Sequence, residues 1–352
     1  MEGSFERVSR VFDRQKPDRA PVFDLLPNDA ILQYFNEGAP VAAGDDLHGV
    51  QAIVRATDGT RVSYFSPAHD RQETLPDGRR QKFERWTIWT SQRTFSSPEE
   101  YRQVKKKELA GWQEEVVKPL AITDEPRYRR HSELKSWFGN DYYFLLACPH
   151  INLMSIYGEV GLEFFSFVLF DAEDIVDEQL ERNTAMALRW VRELPVNDPF
   201  PAVFIGDDIA FNNGPMVSPV WLREHYFPRL GRVIDALHRR GKKVMFHSDG
   251  NLNLILDDLV NIGIDALNPI DVNAGMDLKE LHRRYPKLIF AGGIDVIHLL
   301  PFGTPKQIKE AVVKAIEDTE GQILVGSSTE VSNNVPLENF LALREAAMSY
   351  RY

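Results

Sequence analysis

The stretch KVMFHSDG, residues 243–250, decides the fold class. Its first part, Lys243–His247, has the length and apolar content of a buried strand, and polar residues and a glycine follow. On one side lies Leu222–Arg240, whose apolar residues recur at helical spacing and which ends at Gly241. On the other side Leu252–Ile262 has the same helical pattern. This helix–strand–helix order predicts an α/β protein with parallel strands.

The same unit recurs along the chain. Helices are predicted at Pro305–Glu317 and Pro336–Met348, each with proline in its first turn. Eight parallel units form a closed barrel, so the sequence predicts a single (β/α)8 TIM-barrel domain over residues 1–352. The other seven predicted strands are Ala20–Leu25, Arg61–Phe65, Tyr142–Cys148, Ala202–Asp207, Ala266–Pro269, Leu288–Ala291 and Ile323–Gly326.

One region of the N-terminal half interrupts this pattern. Aromatic and polar residues alternate over Phe83–Phe95, after the turn formed by Pro76–Asp77–Gly78. This pattern predicts a hairpin inserted in the barrel near residues 75–95. Ser96 and Glu99 then have the spacing of a capping box, which predicts a helix from Ser96 to Glu114.

Charge and composition exclude several kinds of protein. The formal net charge is −11, without a concentrated basic surface, which argues against a nucleic-acid partner. Lys105–Lys107 is short and flanked by acids, so we interpret it as a solvated helix face. The single cysteine, Cys148, excludes an internal disulfide. Since Met1–Arg10 lacks the apolar run of a signal peptide and no apolar stretch reaches membrane-spanning length, we expect a cytoplasmic protein without a membrane contact.

Polar residues follow every predicted strand of the second half. Active sites of barrels lie at the carboxyl ends of the strands, so these residues should share one mouth. We predict Asp208, His247 and Asp249 as catalytic residues. Residues that follow other strands are predicted to bind substrate, and these are Asp207, Asn268, Asp271, Gly293, Asp295 and Tyr157.

His247 and Asp249 lie two residues apart and face the same side of an extended chain. This spacing suits two metal ligands, or a histidine oriented by a carboxylate. A divalent ion held by His247, Asp249 and Glu330 would relieve repulsion among the acids. Two alternatives remain open. Asp208 and His247 could contact the substrate directly, or Asp249 could cap the next helix while His247 is a core residue.

The motifs around these strand ends resemble the uroporphyrinogen decarboxylase superfamily. The resemblance covers nearly the whole chain and is most specific from about residue 200 onward. It implies a (β/α)8 barrel and, by analogy with the family, a homodimer. The segments that carry it are residues 17–22, 206–208, 214–219, 246–250, 268–270, 293–295 and 335–339.

The resemblance implies two possible activities. Decarboxylases of the superfamily grip substrate carboxylates with an arginine- and glycine-containing segment after the first strand. Here that stretch, Asp24–Asp29, has no arginine. The second branch transfers methyl groups to or from the cobalt of a corrinoid protein, and its thiol-using members bind zinc through a His-x-Cys pair and a later cysteine. His247 matches the histidine, whereas Asp249 and Thr329 or Glu330 stand at the cysteine positions.

Loss of both thiolates disfavours zinc-activated thiol chemistry, although a divalent metal such as zinc stays possible for a His/Asp/Glu set. Carboxylates can instead bind the N–H donors of a pterin. The resemblance therefore favours a corrinoid-linked methyltransferase that works with a corrinoid protein and an acceptor such as tetrahydrofolate. A decarboxylase of the same family and a non-catalytic tetrapyrrole-binding barrel are the alternatives.

Overall fold

The computed structural model describes residues 2–61, 66–149 and 151–352. Four of the five residues of the predicted strand Arg61–Phe65, residues 62–65, lie outside the described residues. The strand Gly59–Thr60 ends directly before Arg61. Arg61 therefore directly follows a strand.

The strands are short, and most fall on the apolar runs that predict them. Their bounds are β1 (Gly59–Thr60), β2 (Arg71–Thr74), β3 (Arg80–Glu84), β4 (Thr87–Thr90), β5 (Tyr143–Phe144), β6 (Leu146–Ala147), β7 (Ala202–Gly206), β8 (Ala210–Phe211), β9 (Gly214–Pro215), β10 (Lys243–His247), β11 (Ala266–Ile270), β12 (Ile289–Ile294) and β13 (Ile323–Ser327).

Helices fill most of the segments between the parallel strands. Their bounds are α1 (Ser4–Phe12), α2 (Asp29–Phe35), α3 (Asp46–Ala56), α4 (Pro98–Leu109), α5 (Trp112–Val117), α6 (Pro126–Phe138), α7 (Leu153–Val160), α8 (Leu162–Asp171), α9 (Glu173–Arg192), α10 (Pro219–Trp221), α11 (Phe227–Arg239), α12 (Leu256–Asn261), α13 (Leu278–Arg284), α14 (Leu299–Phe302), α15 (Pro305–Asp318) and α16 (Leu337–Ser349), with 3-10 turns at Ile122–Asp124 and Val272–Ala274 and a π-helical turn at Leu222–Tyr226.

Parallel pairing dominates the part of the chain that the structure describes. One sheet has the order β13-β12-β11-β10-β7-β6, and β1 pairs in parallel with β5. The segment predicted as the first strand forms bridges on both sides, from Val22 to Val325 of β13 and from Phe23 to Gly59 of β1. The N-terminal segment thus lies between β13 and β1.

The parallel strands are buried on both faces, as expected when helices cover a parallel sheet. In β10, Val244 and Phe246 belong to the large core beneath the helices. Met245 between them belongs to a second cluster, with Ala266 and Leu324 of other strands and Val8 of α1. Successive side chains of a strand point to opposite faces, so the sheet has helices on one face and a separate apolar interior, closed by α1, on the other.

The predicted hairpin region overlaps an antiparallel sheet of order β2-β3-β4. It begins earlier than predicted, at Arg71, and ends at Thr90. Much of this sheet is exposed, which agrees with the alternation of aromatic and polar residues in its sequence.

Three local predictions were wrong. The cap before α4 is Ser97, whose hydroxyl accepts from the N–H of Glu100, one residue later than the predicted pair Ser96 and Glu99. The helix predicted from Leu252 begins only at Leu256. Lys105 is buried beside Glu159, with 2.6 Å between Nζ and Oε2, so it does not share the solvated face of its neighbours.

Within the described ranges, no single helix has the length and apolar content needed to cross a membrane. The pair α7 and α8, bent by 109°, meets the length and composition criteria only when the two are taken together.

Candidate functional site

Neighbouring aspartates at the end of β7 have different surroundings. Asp207 is 0% exposed, and its carboxylate accepts from the N–H groups of Leu153 and Met154 at the start of α7, at 2.9 and 2.7 Å. It also accepts from the hydroxyl of Tyr226 at 2.8 Å. The side chain of Asp208 points away from the start of α7, as expected for adjacent residues of an extended chain. The structure therefore gives Asp207, predicted to bind substrate, a capping contact to α7.

Asp208 lies beside the end of β10. Its Oδ1 accepts from the backbone N–H of Asp249 at 3.0 Å and lies 3.7 Å from Nε2 of His247. The predicted Tyr157 reaches the same place, because its hydroxyl donates to the carbonyl of Asp208 at 2.9 Å. Three residues predicted as catalytic, Asp208, His247 and Asp249, are thus brought together.

His247 is held by the amide of Asn268. Its Nδ1 lies 2.9 Å from Oδ1 of Asn268, and the amide of Asn268 is oriented by donation from Nδ2 to the carbonyl of Ala291. The same Nδ1 lies 3.0 Å from Nη1 of Arg61. Asn268, predicted to bind substrate, is 5% exposed and orients this histidine.

Arg61 lies at the centre of the acidic residues and was missed in the sequence. Its Nη1 is 3.2 Å from Nε2 of His247, and its Nη2 donates to the carbonyl of Thr329 at 3.3 Å. The guanidinium also lies over the ring of Phe204, 5.5 Å from its centroid. A signal existed: Arg61 follows β1, so correct strand bounds would have included it among the polar residues at strand ends.

The carboxyl group of Asp249 is incompletely hydrogen-bonded. Its buried Oδ1 has no partner among the described residues, and its Oδ2 has only a long contact of 3.5 Å with the hydroxyl of Thr329. Asp249 does not cap a helix, because α12 begins at Leu256 with Ile255 at the cap position. A buried carboxyl oxygen without a donor is costly, which is typical of groups held for a ligand.

Glu330 takes a different place from the one predicted. The group of side chains able to hold a metal is Asp208, His247 and Asp249, whose ligand atoms all lie within 4.8 Å of one another. Glu330 instead lies 4.0 Å from Nη2 of Arg61, with a side chain 35% exposed. Of the metal set predicted from the sequence, His247 and Asp249 thus lie in this group, Glu330 lies outside it, and Asp208 lies in it instead.

Asp24 is a buried acid that, like Arg61, was not predicted as a site residue from the sequence. Its carboxylate accepts from the N–H and the hydroxyl of Ser327 at 2.7 and 2.8 Å, and from the N–H of Leu25 at 2.9 Å. Burial raises the pKa of Asp24 to about 7, although these hydrogen bonds lower it. The predicted strand Ala20–Leu25 includes Asp24. Asp24 is therefore not among the polar residues that follow a predicted strand.

The remaining predicted substrate-binding residues make structural contacts in or near the loops after β11 and β12. Asp271 caps the turn Val272–Ala274, and Asp295 accepts from Nδ2 of Asn273 at 2.8 Å. Gly293 has a φ of +92°, and a Cβ built there would be 2.7 Å from Cδ1 of Leu278. None of these three contacts the group formed by Asp208, His247 and Asp249 in any hydrogen bond or ion pair found among the described residues.

Burial dominates the electrostatics of the site. It raises the pKa of Asp249 to about 7, and the charge of Asp208 adds to this shift while Arg61 opposes it. Burial also raises the pKa values of Asp208 and Glu330. Burial, followed by the charge of Arg61, lowers the pKa of His247 well below its usual value. At neutral pH the site therefore combines a neutral imidazole with one acid, Asp249, that can exchange a proton.

We expect these shifts to make the protein less stable as pH rises from about 6.5 to about 8. Asp24 and Asp249 have folded-state pKa values of about 7, above the unfolded value near 4, so their stabilising contribution is complete at low pH and is lost as pH rises through 7. His247 offsets only part of this, because in the unfolded state its pKa is near 6.5 and its remaining proton is lost at the lower end of this range. Melting temperatures across this range test the sign, and Asp249→Asn should flatten the slope. A rising melting temperature would contradict the assignment.

The donor set fits a divalent cation. It offers one imidazole nitrogen and carboxylate oxygens. Hard and borderline metal ions prefer such ligands, whereas thiolates are preferred by soft metal ions. The unpartnered Oδ1 of Asp249 would gain a partner. Cys148, the single cysteine, is buried and lies outside this group, so no thiolate would contribute.

Comparisons with known proteins agree on one family. The family model described as uroporphyrinogen decarboxylase (URO-D) matches residues 148–350. A curated relative, methylcobamide:CoM methyltransferase MtbA of Methanosarcina mazei, is 22% identical over 184 residues, which are 52% of each chain. The protein of the same name from Methanosarcina acetivorans is 21% identical over 184 residues, again 52% of each chain. The chain spans about half the length of the curated relatives it matches.

A solved structure of a methyltransferase from Methanosarcina mazei matches 99% of both chains with a TM-score of 0.69 and 14% sequence identity. This likeness concerns the fold.

Proposed function

This chain belongs to the uroporphyrinogen decarboxylase family, and from that premise we propose that it is a corrinoid-linked methyltransferase. It moves a methyl group between a methylcorrinoid, carried by a partner protein, and an acceptor such as tetrahydrofolate. The names of both curated relatives, which describe methylcobamide:CoM methyltransferases, support the methyl transfer and the corrinoid. The acceptor is proposed from the chemistry of the site.

We infer that the parallel ladders form one closed eight-stranded barrel, in a single domain with β2–β4 as an insertion. The support is the unbroken order of pairings, from Val22 and Phe23 through β1, β5 and β6, β7, β10, β11 and β12 to β13, which pairs with Val22 again. In such a barrel, the ends of β1, β7, β10 and β13 meet at one mouth, where active sites of this architecture lie.

The observation that carries the proposed chemistry is the buried Asp249 carboxyl group, with a pKa of about 7 and an unpartnered oxygen. Transfer of a methyl group from the methylcorrinoid substrate to a pterin nitrogen would form a C–N bond, break the cobalt–carbon bond with its electron pair left on cobalt, and release the proton of that nitrogen. Asp249 accepts this proton, and in the reverse direction it returns it. An acid with a pKa near the working pH does both efficiently.

Other residues position these groups. Asp208 fixes the loop of Asp249 by accepting from its N–H. Asn268 holds the imidazole of His247 through its contact with Nδ1. Carboxyl groups of Asp208 and Asp249 can also accept from the ring N–H and amino groups of a pterin. Should the site bind a divalent metal, Asp208, His247 and Asp249 would hold it, and it would supply Lewis acidity.

A second function is favoured by one observation. Arg61 places a guanidinium among the buried carboxyl groups of the site, although the segment Asp24–Asp29 lacks the arginine of the family's decarboxylases. Decarboxylation of a substrate carboxylate bound by Arg61 is therefore the alternative. Against it, Arg61 already contacts His247 and Thr329, and Asp24, Asp208, Asp249 and Glu330 surround it with negative charge.

An assay with two readouts separates these functions. The full chain is incubated with methylcobalamin and either tetrahydrofolate or CoM, and separately with uroporphyrinogen. We expect methyltetrahydrofolate to form, and little methylation of CoM because the site lacks thiolates. Carbon dioxide release from uroporphyrinogen would favour the decarboxylase. Binding of a tetrapyrrole without turnover of any substrate would favour the non-catalytic barrel and contradict the proposal.

A further inference from the structure

Arg61 is the cationic group nearest His247 in the part of the chain that the structure describes. Its Nη1 lies 3.0 Å from Nδ1 and 3.2 Å from Nε2 of the imidazole. Both ring nitrogens are therefore within hydrogen-bond distance of a guanidinium that carries only donors. Whichever ring nitrogen has the lone pair, Arg61 lies beside it.

Carboxyl groups surround this contact without pairing closely with it. The nearest carboxylate ion-pair contact of Arg61 among the described residues is Glu330 at 4.0 Å. Asp208 and Asp249 lie within ligand distance of His247 instead, and Oδ1 of Asp249 has no donor. The positive charge of Arg61 thus lies among the carboxyl groups. The carboxyl oxygens of Asp208 and Asp249 are not paired with it and can still bind a cation.

We propose that Arg61 is an internal competitor of a divalent cation at the group formed by Asp208, His247 and Asp249. This inference rests on the proposed function and deepens it, because it concerns the same site. A cation bound by either ring nitrogen of His247 would meet Nη1 of Arg61, which lies 3.0 Å from Nδ1 and 3.2 Å from Nε2, so the guanidinium must move aside. Two positive charges at this distance also repel each other, strongly in a buried site.

The displaced guanidinium has a second partner nearby. Glu330 lies on the loop after β13, and its side chain is 35% exposed. A small rotation of the long Arg61 side chain would change the 4.0 Å contact with Glu330 into a close ion pair. Binding of the cation would then draw the loop around Thr329 and Glu330 toward Arg61. The metal, instead of the arginine, would neutralise the charge of Asp208 and Asp249.

The test is a calorimetric titration of Zn²⁺ into the metal-stripped full chain, without any methyl donor or acceptor. We expect Arg61→Gln to bind one Zn²⁺ at least tenfold more tightly than the wild type. The same change together with His247→Gln should remove the gain. Arg239→Gln, which removes an exposed arginine with a 67% exposed side chain, is the control for net charge and should behave as the wild type.

Equal or weaker binding by Arg61→Gln would overturn the inference, as would a gain that survives His247→Gln. Should Arg61→Gln not fold, Glu330→Gln provides a second test, because it removes the proposed new partner of Arg61 and should weaken Zn²⁺ binding at least threefold. Unchanged binding by a folded Glu330→Gln would overturn it. Since no methyl group is involved, failure here is distinguishable from failure of the proposed methyl transfer.

Discussion

Asp249→Asn should reduce methyl transfer by a factor of about 10² to 10⁴, the range expected when a proton-transferring group is lost. The amide has nearly the shape of the carboxyl group but cannot exchange a proton near neutral pH. The measurement is the rate of methyltetrahydrofolate formation at saturating methylcobalamin and tetrahydrofolate, for wild type and variant under identical conditions.

The free energy of unfolding of Asp249→Asn should not fall together with its activity. Asp249 is a buried acid whose pKa is raised by burial and by the charge of Asp208, so its ionised form opposes folding at neutral pH. Asp249→Asn should therefore be as stable as the wild type or more stable at pH 8. A variant that keeps full activity would contradict the role of Asp249, whereas a variant that loses activity by unfolding would contradict the electrostatic assignment.

Asp207→Ala should lower the free energy of unfolding by about 3 kcal/mol or more. Asp207 is completely buried and accepts from two backbone N–H groups of α7 and from the hydroxyl of Tyr226. Its removal leaves three buried donors unsatisfied, at about 1–3 kcal/mol each. Chemical denaturation followed by circular dichroism measures this loss.

The neighbouring Asp208 is the matched control. Its side chain is 30% exposed and accepts from one backbone N–H, so Asp208→Ala should cost about 1 kcal/mol while methyl transfer is strongly reduced. If Asp207→Ala and Asp208→Ala lost equal stability, the assignment of Asp207 as the capping residue and Asp208 as the site residue would be wrong.

The sequence predicted the α/β class and the polar residues that follow the strands of the second half, because buried strands and amphipathic helices have different periods. It also predicted that Asp207 and Asp208 face opposite sides, since strand geometry requires this. Which of the two faces the site depends on the start of α7, and α7 is distant in sequence. The choice between Asp208 and Glu330 in the metal-binding group likewise depends on loop paths that no local pattern encodes.

Arg61 and Asp24 were missed for a different reason. Both follow short segments of the parallel ladder, at Thr60 and Phe23, yet the predicted strands were drawn past Asp24 and begun at Arg61. Strand limits are poorly defined by sequence where pairing is limited to one or two residues. As a result, the sequence predicted an acidic mouth with a single histidine, whereas the structure has an arginine among the acids.

The absorption spectrum of methylcobalamin, mixed without oxygen with the full chain and tetrahydrofolate, tests the central claim most directly. The account predicts conversion of the methylcobalamin spectrum to that of cob(I)alamin with wild-type protein, and little conversion with Asp249→Asn. The same spectrum without tetrahydrofolate should not change. No conversion by the wild type, with either free methylcobalamin or a methylated corrinoid protein, would contradict the account.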